Sequence, residues 1–204
     1  MSKIQNLIFD MGNVMFGFDP SYIVAQVLGD GVDPSPYLVH LFDNEAWQRM
    51  DEGVLDSEDW VSELASQHQF SPKQCDHVRE LIAYFPDHLI LNEPLKALFE
   101  KFVNEYGVYI LSNFQAQPFD ILCHLNPFLL EAKGMVVSAK EQLMKPDPRL
   151  YQLLLDRYQL DPETCLFIDD LPANINTAIA LGMDGIVFQT NDQLHLELQN
   201  RGIL

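Results

Sequence analysis

Four polar signals stand along the 204-residue chain, each in or beside an apolar stretch. Asp10 follows Leu7-Ile8-Phe9, Ser112-Asn113 follows Val108-Tyr109-Ile110-Leu111, Lys145 lies in Met144-Lys145-Pro146, and Asp169-Asp170 follows Cys165-Leu166-Phe167-Ile168. If they converge, the available chemistry is narrow. Two carboxylates from different strands make a hard, oxygen-rich site of the kind Mg²⁺ occupies while keeping several waters. A lysine beside them neutralises a phosphate that the metal holds from the other side, and a serine hydroxyl with backbone N–H groups completes the cradle. One carboxylate can itself attack phosphorus, because aspartyl phosphates are established covalent intermediates. Phosphoryl transfer asks for little beyond such positioning and charge stabilisation.

The four signals need strands to deliver them. The apolar runs ending at Asp10, Ser112 and Asp169 read as buried strands, with further candidates at Met135-Val136-Val137 and Gly185-Ile186-Val187-Phe188. Helix-period segments alternate with them: Glu93 to Tyr106, Phe114 to Leu125, Pro148 to Tyr158, Pro172 to Leu181 closed by Gly182, and a terminal amphipathic stretch from Asp192 to Asn200. Strands that are apolar throughout and alternate with helices predict an α/β fold, a doubly wound Rossmann-like parallel sheet covered on both faces. Open sheets of this kind bind ligands at the carboxyl ends of their strands, where the polar signals collect.

About 95 residues separate the first two strands, far more than one crossover helix requires. The intervening pattern is helical, with segments from Ser21 to Leu28, Tyr37 to Met50, Ser57 to Gln69 and Pro72 to Tyr84, and turn signals at Gly29 to Pro34, Asp51-Glu52-Gly53 and Ser71-Pro72. The organisation predicted is a small all-helical cap over 17–87 inserted after the first strand of a core made of 1–16 and 88–204. Asp51-Glu52 reads as a solvated turn. Phe16, Phe18, Trp47 and Met50 either close over a substrate or pack in the cap, and packing is the simpler reading.

Composition narrows the partners. Twelve Lys and Arg against 30 Asp and Glu give a formal charge of −18, a surface that repels nucleic acid and anionic membranes. A small phosphate monoester meets only the local field. Cys75, Cys123 and Cys165 form no CxxC pair and suit reduced thiols, and no apolar run approaches the roughly 20 residues of a membrane span, so a soluble cytoplasmic protein is expected. The six histidines show no metal-ligand spacing. Basic residues are few, with none between Lys101 and Lys133, which gives weight to Lys145; Lys140 and Arg149 are its alternatives.

At these positions the sequence resembles the haloacid dehalogenase-like hydrolase superfamily. Leu7 to Val14 is similar to its first motif, Ile110-Leu111-Ser112-Asn113 to its second, Lys145-Pro146 to its third, and Phe167-Ile168-Asp169-Asp170 with Asn174 to its fourth. The resemblance is best to the branch of α-D-glucose-1-phosphate phosphatases, and Trp47 to Trp60 is similar to the cap segment of members acting on sugar phosphates. It implies Asp10 as nucleophile and Mg²⁺ ligand, the Gly12 carbonyl and Asp170 as further ligands, and Ser112, Asn113 and Lys145 as the phosphoryl-binding set. Asp169 would orient Lys145, and Asn174 would fix the Asp170 loop or a metal-bound water.

One position departs from the pattern. Most phosphatases of the superfamily carry a second aspartate two residues after the nucleophile, as acid and base for the leaving group and the water, and here that position is Gly12. General acid catalysis is worth about 10²–10⁴-fold, so the substrate expected is a phosphate whose leaving group departs easily or can be protonated by water, as with an anomeric sugar phosphate. The function expected is a Mg²⁺-dependent phosphatase acting on a small phosphorylated metabolite, a sugar phosphate among the candidates, through an aspartyl phosphate on Asp10. The alternatives are a 2-haloacid dehalogenase, which has no use for a second metal-ligating carboxylate at Asp169-Asp170, and a non-catalytic phosphate-binding regulatory protein.

Overall fold

A computed structural model describes residues 4–29, 31–42 and 45–204. The centre is a five-stranded, all-parallel sheet in the order β5-β4-β1-β6-β7. Its strands are β1 (Asn6–Phe9), β4 (Gly107–Ser112), β5 (Gly134–Val137), β6 (Cys165–Asp169) and β7 (Asp184–Val187). A further pair, β2 (Phe16–Gly17) and β3 (Ile90–Leu91), forms a short antiparallel ribbon. The helices of the core are α6 (Glu93–Phe102), α7 (Ala116–Leu125), α8 (Ser138–Glu141), α9 (Pro148–Tyr158), α10 (Pro172–Ala180) and α11 (Asn191–Asn200).

Both faces of the sheet are apolar, and the pleat divides them. Leu7, Phe9, Val108, Ile110, Leu166 and Ile168 point to one side and pack with Phe99 and Phe102 of α6, Leu122 of α7 and Leu198 of α11. Ile8, Tyr109, Leu111 and Phe167 point to the other and meet Leu150 and Leu154 of α9 and Ala178 of α10. Every one of these side chains is buried. Each is worth about 1.5–3 kcal/mol removed from water, which explains strands that are apolar without alternation. Parallel neighbours require a crossover helix, and the sheet is covered as the sequence predicts.

Between β2 and β3 the described residues form five α-helices, α1 (Pro20–Leu28), α2 (Ser35–His40), α3 (Glu45–Asp51), α4 (Ser57–Gln67) and α5 (Pro72–Tyr84), followed by a 3-10 turn at Phe85–His88. Their starts follow from local chemistry. Asp19 accepts the Ser21 and Tyr22 N–H groups, Asp56 accepts that of Glu58, and Ser71 with Gln74 makes a reciprocal capping box. The ribbon joins the entry and exit of this helical stretch, and Asn92 ties it to the first loop through Val14 O at 2.9 Å and Met15 O at 2.9 Å.

Three readings of the sequence change here. The segment from Tyr37 to Met50 is two helices, α2 and α3, and Asp43 and Asn44 at the junction lie outside the described residues. Strands of two residues are too short to show a period, so the ribbon goes unpredicted. Asp51-Glu52 is no solvated turn: Asp51 ends α3 with its carboxyl drawn into the protein.

Candidate functional site

The sheet register brings the strand-end residues level with one another. Phe9 pairs with Ile110 on one side and with Ile168 on the other, so Asp10 stands beside Leu111 and Asp169 at the carboxyl edge. The Asp10 N–H donates to Ile168 O at 3.0 Å, which fixes that alignment past the end of β1. Ser112 and Asp170 then emerge one residue further along their own strands.

Lys145 links the strands. Its Nζ lies 2.8 Å from Asp10 Oδ1 and 2.7 Å from Asp169 Oδ2, and donates to Leu111 O at 3.0 Å. The side chain also passes over the Phe167 ring, 5.4 Å from its centre. Asn113 holds the Lys145 backbone from both sides, donating from Nδ2 to its carbonyl at 2.9 Å and accepting its N–H at 2.8 Å. Asn113 therefore places the lysine through its side chain, a function the residue type alone does not announce.

Asp169 is completely buried, Lys145 is 3% exposed and Asp10 is 7% exposed. Both Asp169 oxygens are taken: Asn174 Nδ2 donates to them at 2.9 and 3.0 Å, and the Leu171 N–H donates to Oδ1 at 2.8 Å. Tyr151 in turn donates to Asn174 O at 3.1 Å. Asn174 thus serves Asp169, where the sequence reading gave it the Asp170 loop or a metal-bound water. Lys140 and Arg149 have other partners, Asp120 at 2.6 Å and Asp147 at 2.6 Å, and both face solvent.

Electrostatics follow from this burial. Desolvation raises the Asp10 carboxyl above its ordinary value, with Lys145 opposing the rise and the Asp169 charge adding to it. Burial alone would lower the Lys145 ammonium, but the two carboxylates outweigh it and hold it above its usual range. Desolvation and the nearby Asp169 raise Asp170 as well, while the Asn13 side chain hydrogen-bonds its charged form.

Oxygens of Asp10, Asp169 and Asp170 all lie within 4.8 Å of one another. Once all three carboxyls are ionised, as metal binding requires, they leave two negative charges against the one ammonium, matching one divalent cation. With Asp169 committed to Lys145 and Asn174, the oxygens left for a metal belong to Asp10 and Asp170, and an all-oxygen set of this kind fits Mg²⁺. The Ser112 hydroxyl is fully buried and has no hydrogen-bond partner. A buried hydroxyl left unpaired costs about 1–3 kcal/mol, a deficit that an oxygen-bearing ligand would remove.

In front of the loop after β1 lies a cavity of about 150 Å³, bordered by Gly12, Asn13 and Asn113 of the core and walled by aromatic side chains such as Phe18, Trp47 and Phe85, with Asp51 among them. Trp47 and Phe18 pack 5.8 Å apart between ring centres, and Trp47 and Phe85 pack 5.4 Å apart. Of the aromatic candidates, Phe18 and Trp47 thus face the cavity; Phe16 also borders it while packing in the core, and Met50 is buried.

Known proteins bear on this arrangement. Residues 4–182 match the family model described as haloacid dehalogenase-like hydrolase. The chain is 26% identical over 180 residues to the sesquiterpene phosphatase astK of Aspergillus oryzae, a match covering 88% of this chain and 87% of that protein. It is 41% identical over 59 residues to flavin mononucleotide hydrolase 1 of Arabidopsis thaliana, a match that spans 29% of this chain and only 24% of that relative's length. Among solved structures, an HAD family enzyme from Bacteroides thetaiotaomicron in complex with magnesium and inorganic phosphate superposes with a TM-score of 0.71 at 19% identity, covering 91% of this chain and 94% of the other. The L-2-haloacid dehalogenase of Xanthobacter autotrophicus superposes with a TM-score of 0.66 at 15% identity, covering 98% and 84%.

Proposed function

The chain belongs to the haloacid dehalogenase-like hydrolase family, and from that premise we propose that it is a Mg²⁺-dependent phosphatase that hydrolyses a small phosphate monoester through Asp10. The observation that carries the reading is the buried Asp10–Lys145–Asp169 chain with Asp170 beside it and the partnerless Ser112 hydroxyl in the same strand-end row. Phosphate and magnesium in the Bacteroides neighbour, and the phosphatase named among the relatives, support it.

In this reading Asp10 Oδ attacks phosphorus as the bond to the ester oxygen breaks, and the alcohol leaves. Water then attacks the aspartyl phosphate, the new P–O bond to Asp10 breaks, and the carboxylate returns with release of inorganic phosphate. Met11 N–H holds Asp10 Oδ1 at 2.7 Å, and Lys145 holds the same oxygen, which leaves the other free to attack. Ser112 and the backbone at Asn113 bind the phosphoryl oxygens, and Lys145, whose three donors go to Asp10, Asp169 and Leu111 O, places its positive charge beside them. Asp10, Asp170 and the Gly12 carbonyl would hold Mg²⁺, which supplies positive charge against the phosphoryl oxygens. Asp169 keeps Lys145 charged and in place, and Asn174 keeps Asp169 in place.

The aromatic walls of the cavity favour a monoester whose organic part is apolar or aromatic over the sugar phosphate expected from the cap sequence. A dehalogenase needs no metal, and the second carboxylate at Asp170 argues against that reading. The test is phosphate release from a panel of flavin, isoprenoid, sugar and alkyl monophosphates with and without Mg²⁺. Release that requires Mg²⁺ and disappears in Asp10→Asn is expected. No release from any ester, or release that Asp10→Asn leaves unchanged, refutes the proposal.

A further inference from the structure

The reaction just proposed lacks a proton. When the P–O bond to the organic group breaks, its electron pair leaves with oxygen, and an alkoxide departs unless a proton reaches it. The water of the second step must in turn lose one. None of the residues clustered around Asp10 is free for this work: in the reading above Asp170 serves the metal and Ser112 the phosphoryl oxygens. Asp10 is the attacking group, and Lys145 Nζ is engaged by Asp10, Asp169 and Leu111 O. Asp169 has both oxygens occupied.

Gly12, on the turn that follows Asp10, presents only hydrogen. A Cβ placed on it meets nothing within 4 Å, so that side of the turn is open. Gly12 borders the aromatic cavity, and among the described residues lining that cavity Asp51 alone bears a titratable side chain. We infer that Asp51, the last residue of α3, gives its proton to the departing ester oxygen and then takes one from the attacking water. This rests on the phosphatase reading above.

The geometry around Asp51 is specific. Its backbone carbonyl accepts a hydrogen bond from Ser138 Oγ at the start of α8, and the same hydroxyl accepts the Phe114 N–H at 2.8 Å. Two residues on, Gly53 adopts φ +77°, and a Cβ there would lie 2.3 Å from Ala139 O. The turn carrying Asp51 is therefore seated on the core at a distance that only glycine allows. Its position relative to Asn113, Phe114 and Gly12 is set by the core itself.

The chemistry of the carboxyl agrees with the geometry. Burial pushes it up to about 7, while its hydrogen-bonding neighbours Gln115 and Trp47 favour the charged form. Both neighbours are neutral, so neither offsets the burial with a charge. A carboxyl poised near neutrality can hold a proton on arrival of substrate and remove one from water afterwards. The steps balance: Asp51 protonates the leaving oxygen, the resulting carboxylate deprotonates water, and the products are the alcohol and inorganic phosphate.

The test compares 4-nitrophenyl phosphate, whose leaving group needs no proton, with n-butyl phosphate, whose leaving group does. For Asp51→Asn the inference expects kcat/KM to fall by about 10²–10⁴-fold on the butyl ester and by less than about 10-fold on the nitrophenyl ester. Adding Gly12→Asp to that variant should recover activity on the butyl ester, because the open side of Gly12 accepts a carboxyl facing the same cavity. An equal fall on both esters marks a structural role and overturns the inference, as does no fall on either. A wild-type protein that releases phosphate from neither of these esters nor from any ester of the panel above overturns the phosphatase reading and this inference with it. If nitrophenyl turnover depends on Asp10 yet the butyl ester is indifferent to Asp51, the reading stands and the inference falls.

Discussion

Replacing Asp51 with Asn should stabilise the protein, and by an amount that depends on pH. In the folded chain the carboxyl is pushed from 3.8 to about 7 by burial. The native state therefore keeps a proton that the unfolded chain releases, and stability falls as pH rises through the interval between those two values. Below it both states are protonated and the penalty vanishes; above it the penalty is complete. At about 1.36 kcal/mol for each step of one pH unit, the ceiling is about 4 kcal/mol. Asp51 retains partial exposure and borders a cavity, so screening brings the expected figure to about 1–3 kcal/mol. Asn keeps the shape and cannot ionise. Urea unfolding of both proteins at pH 4.5, 6 and 8 should show the variant's advantage growing with pH, from about a quarter of its full size at pH 4.5 to its full size at pH 8. A variant equal or weaker at pH 8, or a gap that does not change with pH, refutes the reasoning. Stability gained where activity is lost is the usual sign of a residue kept for function.

Two further outcomes follow from the same cluster. Lys145→Met leaves the carboxylates of Asp10 and Asp169 buried without their cation, so it should cost about 3–5 kcal/mol in urea unfolding, and a loss under 1 kcal/mol would contradict the buried charge chain. Ser112→Ala removes a hydroxyl that has no partner in the free protein; it should leave the urea midpoint within about 0.5 kcal/mol of the wild type and weaken inhibition by inorganic phosphate about 10-fold or more. A stability loss with unchanged phosphate affinity would show the hydroxyl serves the fold instead.

The core of the site was legible because strand ends announce their cargo. An apolar run with both faces buried can only be an interior strand, and the residue that breaks it, Asp10 or Asp169, must stand at the edge where neighbouring strands end together. Three such breaks, at Asp10, Ser112 and Asp169, with Lys145 in the loop before α9, left little freedom. Asp51 carries no comparable signal. Read locally, Asp51-Glu52-Gly53 is a polar turn after a short helix, and its burial is created by groups far along the chain: the Ser138 hydroxyl on its carbonyl, Ala139 against Gly53 and Gln115 beside the carboxyl. The same holds for Asn113 and Asn174, which the resemblance gave to the phosphoryl group and to the Asp170 loop or a metal-bound water, and whose side chains reach the Lys145 backbone and the Asp169 oxygens. The carboxylates here sit at the sheet's edge, where register fixes them, and Lys145 is tied to that edge through Asn113. The proposed proton carrier sits on a helical layer docked over it, and docking has no period to read. If the organic part of the substrate lies between those two layers, a change in the helices between β2 and β3 alters both what fits and how easily it leaves, while the phosphate-binding half stays as it is.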